Sequence, residues 1–142
     1  MKELKKHIQQ SFRMEMIGTG LYGALAKQYG KQDPKLQEKL QTFSDDERMH
    51  GKLFKKCSHN LFSESPGSEI FWLFVGKAAA LAMRPLPLKA KLKKLSIAEK
   101  QAVERIEAAL ANGADSPFHK VIRVILRDEK THAGFYDEWY TV

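Results

Sequence analysis

Apolar residues recur three, four and seven positions apart along nearly the whole chain, and almost no segment alternates apolar and polar residues at a period of two. The first spacing places apolar side chains on one face of an α-helix, whereas the second would indicate a β-strand. The sequence therefore predicts an all-α protein. Breaks at glycine- and proline-containing segments predict helices at about residues 3–29, 34–61, 68–83, 88–111 and 117–139.

The helix ends carry residues suited to capping. Asp33 and Ser116 each precede a proline, so we expect both to be N-caps of helices whose first turn contains that proline. Short connections predict two antiparallel hairpins, the first helix with the second and the fourth with the fifth. The apolar third helix has about sixteen residues and contains Lys77, which makes it too short and too polar to span a bilayer. We expect a ferritin-like four-helix bundle with this segment as an extra crossover helix.

The composition narrows the class of protein. A chain of 142 residues, 43% hydrophobic and 29% charged, is expected to be one soluble domain over residues 1–142. Cys57 is the single cysteine, which excludes an internal disulfide and a four-cysteine zinc or rubredoxin-type iron site. We expect a buried thiol and, without a signal-peptide pattern at the N-terminus, a cytoplasmic protein.

Basic residues dominate the charge balance, and the formal net charge is +7. Part of this excess is a basic segment formed by Lys89, Lys91, Lys93 and Lys94. Its simplest interpretation is a solvated helix face. Peripheral contact with the inner face of a membrane is the alternative, and nucleic-acid binding by a metal-free helical adaptor is a less favoured one.

The most informative feature is the pattern Asp-Glu-x-x-His, which occurs at Asp46 and again at Asp128. Residues three apart share a helix face, so the glutamate and histidine of each copy can bind one metal ion from one side. The apolar context also repeats, at −7, −4, +7 and +10 from each glutamate. Those positions are Leu40, Phe43, Phe54 and Cys57 in one copy and Ile122, Ile125, Tyr136 and Trp139 in the other. Carboxylates and imidazoles on a buried face are costly unless they are paired or bind metal.

Each remaining long helix should supply one carboxylate at the same level. Glu15 continues an apolar face of the first helix, and an antiparallel hairpin brings it level with Glu47. In the fourth helix the candidates are Glu99, Glu104 and Glu107. The number of residues to the break before the fifth helix suits Glu99 and Glu104 almost equally. The apolar face of the fourth helix favours Glu99. Glu104 stays as the alternative, and the structural role that Glu99 could have instead is in a capping box with a serine three residues earlier.

The resulting set has four glutamates and two histidines, as described for di-iron and di-manganese bundles. Zinc is less favoured, since zinc sites use fewer carboxylates. The predicted metal ligands are Glu15, Glu47, His50, Glu99, Glu129 and His132.

These residues, together with Tyr22 and the helix-breaking turn that follows, resemble the rubrerythrin-type members of the ferritin-like superfamily. The resemblance covers nearly the whole chain and implies that the six ligands bind two irons. The paired Asp-Glu-x-x-His is also similar to di-iron oxygenases and desaturases, which implies that Asp46 and Asp128 orient the histidine ligands. Peroxide-reducing rubrerythrins carry a further glutamate where this chain has Ser96, and a rubredoxin domain that this chain lacks. The apolar third helix loosely resembles the crossover of membrane-associated demethoxyubiquinone hydroxylases.

The resemblance implies a non-haem di-iron oxidoreductase that reacts with O₂ or peroxide and is reduced by an external electron donor. An iron-binding, iron-oxidising stress protein and a membrane-associated quinone-type hydroxylase are the alternatives. Tyr22 and Tyr136 are candidates for hydrogen bonding or radical transfer near the metals, although packing is the simpler role for an inward tyrosine. A homodimer is expected by resemblance.

Overall fold

The computed structural model describes residues 1–111 and 113–141, with side chains as far as residue 138. It contains five α-helices in the described ranges and no β-strand there. Their bounds are α1 Lys2–Tyr29, α2 Pro34–Phe62, α3 Glu69–Ala82, α4 Leu88–Leu110 and α5 Pro117–Thr141. Each predicted helix is therefore confirmed to within two residues. Trp139, the last position predicted to repeat the apolar context, has a side chain outside those described.

Side-chain caps fix where the helices start. Asp33 Oδ1 accepts a hydrogen bond from the backbone N–H of Leu36 at 3.1 Å, and Ser116 Oγ accepts one from His119 at 3.3 Å. Both predicted N-caps are confirmed. Helix α2 ends where Ser63 adopts a left-handed conformation with φ of 54°. This backbone reversal separates α2 from α3.

The chain forms two compact units, Met1–Met83 and a second that begins at Arg84. In the first, α1 and α2 pack as a hairpin around fully buried apolar side chains, which include Ile8, Phe12, Leu25, Leu36 and Leu40. Ser44 Oγ donates to the carbonyl of Thr19 at 2.9 Å and so joins the two helices inside this core. A single domain over residues 1–142 stays a prediction.

Helix α3 packs against α1 through glycines. A Cβ at Gly76 would overlap the carbonyl oxygen of Ile17, and one at Gly20 would overlap the carbonyl oxygen of Leu73. The two backbones can approach this closely only because both positions lack a side chain. Gln28 Nε2 also donates to the carbonyl of Ala80 at 3.2 Å. The glycine contacts therefore determine which face of α3 is covered and which face remains exposed.

In the second unit, α4 and α5 form another hairpin. Its apolar core includes Leu92, Leu95, Ile122, Ile125 and Tyr136. Ion pairs between α4 and α5, such as Lys100 with Asp137 at 2.7 Å, are solvent-exposed and add little stability. The offsets that predicted a shared apolar face in α2 and α5 are confirmed wherever side chains are described.

Of two expectations about α4, one holds only in part and the other is wrong. The basic segment was expected to be a solvated face, but Lys91 is buried while Lys89, Lys93 and Lys94 are exposed. Lys91 lies four residues before Leu95 and therefore on the same side of the helix as this apolar residue. Its long apolar stem can be buried there. The capping-box alternative for Glu99 also fails, because α4 starts at Leu88 and Glu99 lies well inside the helix.

Within the described part of the chain, every helix is too short or too polar to traverse a membrane.

Candidate metal centre

The first unit contains a cluster of two carboxylates and one imidazole. Glu15 lies on α1, and Glu47 and His50 lie on α2. Each offers one ligand atom, and these atoms lie within 4.8 Å of one another. His50 Nδ1 lies 3.3 Å from Glu15 Oε2. All three residues are at least nine-tenths buried, so the cluster is largely shielded from solvent.

Helical geometry produces this convergence. The spacing of three residues puts Glu47 and His50 on one face of α2. Antiparallel packing of α1 and α2 brings Glu15 to the same level, as predicted from the distances to the turn between the helices.

Glycines make room for the cluster, and sequence reasoning missed them. A Cβ at Gly18 would lie 3.2 Å from Glu47 Oε2, and a Cβ at Gly51 would lie 2.6 Å from Met16 Sδ. Both distances are too short for an unadjusted side chain. Glycine has no reactive group, so the available signal was positional: Gly18 lies three residues after Glu15, and Gly51 directly follows His50. We assign both glycines to close approach of α1 and α2 at the cluster.

The second unit contains a matching cluster. Glu99 on α4 and Glu129 and His132 on α5 offer ligand atoms within 4.8 Å of one another. His132 Nδ1 lies 3.7 Å from Glu99 Oε2, and all three residues are buried. Each hairpin therefore combines one Glu-x-x-His helix with one single-glutamate helix.

The fourth-helix candidates now differ in position. Glu99 faces Glu129 and His132, whereas Glu104 is exposed and Glu107 forms an exposed ion pair with Lys130 at 2.9 Å. The apolar face of α4 therefore predicted the correct glutamate, whereas the number of residues to the next helix break left two candidates. The structure brings all six predicted ligand residues into these two clusters, and their binding of metal stays a prediction.

Both clusters have the electrostatics of a cation site. Two buried carboxylates within 4.8 Å repel each other strongly, because little solvent screens them. One protonated imidazole would still leave each cluster with a net charge of −1. A divalent cation neutralises the two carboxylates when the imidazole is uncharged, and oxygen and imidazole ligands suit iron or manganese. The residues present therefore fit a metal ion in each cluster.

The predicted supporting residues lie on the same helices as the cluster residues. Asp46 and Asp128 are half-buried, each directly before a cluster glutamate. Tyr22 is buried and packs edge-to-face on Phe43, with ring centroids 5.7 Å apart, and Tyr136 is fully buried. These positions agree with the packing role for both tyrosines. Orientation of histidine by the aspartates, and radical transfer by the tyrosines, stay predictions.

Cys57 lies on the same face of α2, ten residues after Glu47, and is buried as expected. Burial raises the pKa of its thiol above the ordinary value. A protonated, enclosed thiol is a poor nucleophile. We therefore assign Cys57 to packing.

Helical hairpins with inward glutamate and histidine pairs define the ferritin-like class of helical-bundle proteins. Residues 6–140 match the family model described as Rubrerythrin. The chain therefore belongs to the rubrerythrin family, and its fold class is the all-α ferritin-like bundle predicted from the sequence, with α3 as the additional helix between the two hairpins. Comparison with curated proteins and comparison with solved structures gave no significant match.

Proposed function

We propose that this protein is a non-haem di-iron oxidoreductase that reacts with O₂ or peroxide. The observation that carries the proposal is the duplicated cluster: each hairpin presents two buried glutamates and one buried histidine. Each Glu-x-x-His pair would hold one iron, and the single glutamate of each hairpin would complete the ligand set.

Charge balance supports two ions. The four glutamates contribute −4 when ionised, and two divalent ions contribute +4, so the site is neutral with both histidines uncharged. One ion would leave a buried charge of −2, which is costly in a desolvated interior. Four carboxylates also favour a rise in metal charge on oxidation. The ligand count is therefore better matched to two redox-active ions than to one.

The residues provide a limited but specific chemistry. When bound, two ferrous ions supply two electrons, which with two protons reduce one molecule of hydrogen peroxide to two molecules of water. The glutamates would fix the positions of the ions, and the histidines would complete their coordination. The surrounding apolar side chains restrict water. An external electron donor is needed to reduce the site again for each further turnover.

The direct test is anaerobic loading with ferrous iron, followed by metal analysis and by exposure to O₂ or peroxide. We expect two irons per chain and a new near-ultraviolet absorption on oxidation. Glu47→Ala and Glu129→Ala should each lose at least one iron, whereas Glu104→Ala, an exposed glutamate on α4, should retain both. Failure of the wild-type protein to bind iron, or equal iron content in all four proteins, would refute the proposal. Loading with manganese in parallel identifies the preferred metal.

A second measurement separates an oxidoreductase from a protein that only oxidises and holds iron. With a chemical reductant in excess, an oxidoreductase consumes many equivalents of peroxide per chain. An iron-oxidising stress protein consumes only the amount set by the iron supplied. Stoichiometric consumption with two bound irons would leave the metal site correct and overturn the oxidoreductase assignment.

A further inference from the structure

Helix α3 exposes a large apolar face. Ile70 is 82% exposed, Phe74 68% and Leu81 63%, and these residues follow one another at helical spacing. Phe71 adjoins them and is 55% exposed. The opposite face, with Gly76 and Ala80, is buried against α1. Contiguous aromatic and aliphatic side chains of this kind usually mark an interaction surface.

The charge around this face identifies its partner. Glu69 is the one acidic residue of α3, and it pairs with Lys55 at 3.3 Å. Lys77 is exposed within the apolar face itself, and the guanidinium group of Arg13 lies over the Trp72 ring, 4.5 Å from its centroid. An apolar helix face with an exposed lysine, and with its one carboxylate paired, fits the boundary of an anionic lipid layer, where the rings enter the acyl region and the ammonium group reaches the headgroups.

We propose that α3 docks this protein on an anionic membrane surface through Ile70, Phe71, Phe74 and Leu81. The helix has 14 residues and is too short to cross a bilayer, so it lies in the interface. A second copy of the chain is a poorer partner, since pairing through this face would bring the exposed Lys77 ammonium groups of two copies together. This inference does not depend on the metal centre.

Vesicle co-sedimentation of the full chain tests the apolar contact. We expect binding to vesicles of equal parts phosphatidylcholine and phosphatidylglycerol, weak binding to phosphatidylcholine alone, and release by high salt. Phe71→Ser/Phe74→Ser should weaken binding on the order of tenfold or more, because two largely exposed rings lose their transfer to lipid. The matched control is Val124→Ser, which removes a 62% exposed apolar residue from α5 and should bind like wild type. Circular dichroism verifies the helix content of each protein.

The contribution of charge is tested separately. Lys77→Gln should weaken binding by roughly fivefold, whereas Lys35→Gln, at an exposed site on α2, should have a smaller effect. Lack of binding to anionic vesicles, or equal binding by wild type and the double phenylalanine variant, would overturn the proposal. A wild-type dimer in sedimentation velocity that Phe71→Ser/Phe74→Ser abolishes would also overturn it and assign the face to a second copy.

Discussion

Glu47→Gln should stabilise the metal-free protein and strongly reduce its stabilisation by metal. Glu47 is buried beside Glu15, with ligand atoms of the first cluster within 4.8 Å of one another. Glutamine keeps the shape and hydrogen-bonding capacity of the side chain but removes its negative charge. Without metal, this change removes a buried repulsion. With metal, it removes an anionic ligand.

The size of the effect follows from Coulomb's law. Two unit charges 4.8 Å apart repel by about 3.5 kcal/mol at an effective dielectric constant of about 20. His50 lies 3.3 Å from Glu15 and reduces this repulsion when it is protonated, so we expect a net gain of about 1–3 kcal/mol. For a chain of this length, that gain raises Tm by roughly 3–10 °C. Metal at a hundredfold excess over its Kd adds about 2.7 kcal/mol to the wild-type protein and much less to the variant.

Thermal unfolding at neutral pH, with chelator and with manganese, measures both effects. Manganese is used because it does not oxidise readily during heating. The control is Glu104→Gln, which removes an exposed charge from α4 and should change neither Tm nor its response to metal. The reasoning is refuted if Glu47→Gln lowers Tm in chelator and gains as much as wild type from manganese. The first result would show that the two carboxylates do not repel, and the second that Glu47 is not a ligand.

Three further predictions concern packing. Gly76→Ala should destabilise the protein by about 2–3 kcal/mol in urea unfolding, because its Cβ overlaps the α1 backbone, whereas Gly134→Ala, with open space around it, should be neutral or stabilising. Cys57 should react with a thiol reagent far more slowly in the folded protein than in urea, since burial raises its pKa; equal rates would contradict its burial. Asp33→Ala should cost about 1 kcal/mol by removing the α2 cap, and restoration by Asp33→Ser would confirm the capping role.

The sequence predicted the candidate ligands most specifically where the pattern involved residues close together in the chain. Glu47 with His50, and Glu129 with His132, were identifiable because helical periodicity and the surrounding apolar offsets can be read from the chain alone. Glu99 was less certain, since the level of the ligand along the fourth helix was predicted only to within a few residues, and Glu104 lies five residues further along. The contacts within the second hairpin place Glu99, and not Glu104, beside His132.

The amino-acid sequence by itself determined five helices, their ends and the apolar face of each long helix, because capping residues, prolines and helical spacing act over a few residues. Tertiary structure alone decided how closely the helices approach. Gly18 and Gly76 matter only because another helix lies against them, and Lys91 turned out to be buried although its neighbours are exposed. The exposure of Phe74 also could not be predicted from the sequence, since the sequence of an apolar helix does not show which of its faces a neighbouring helix will cover.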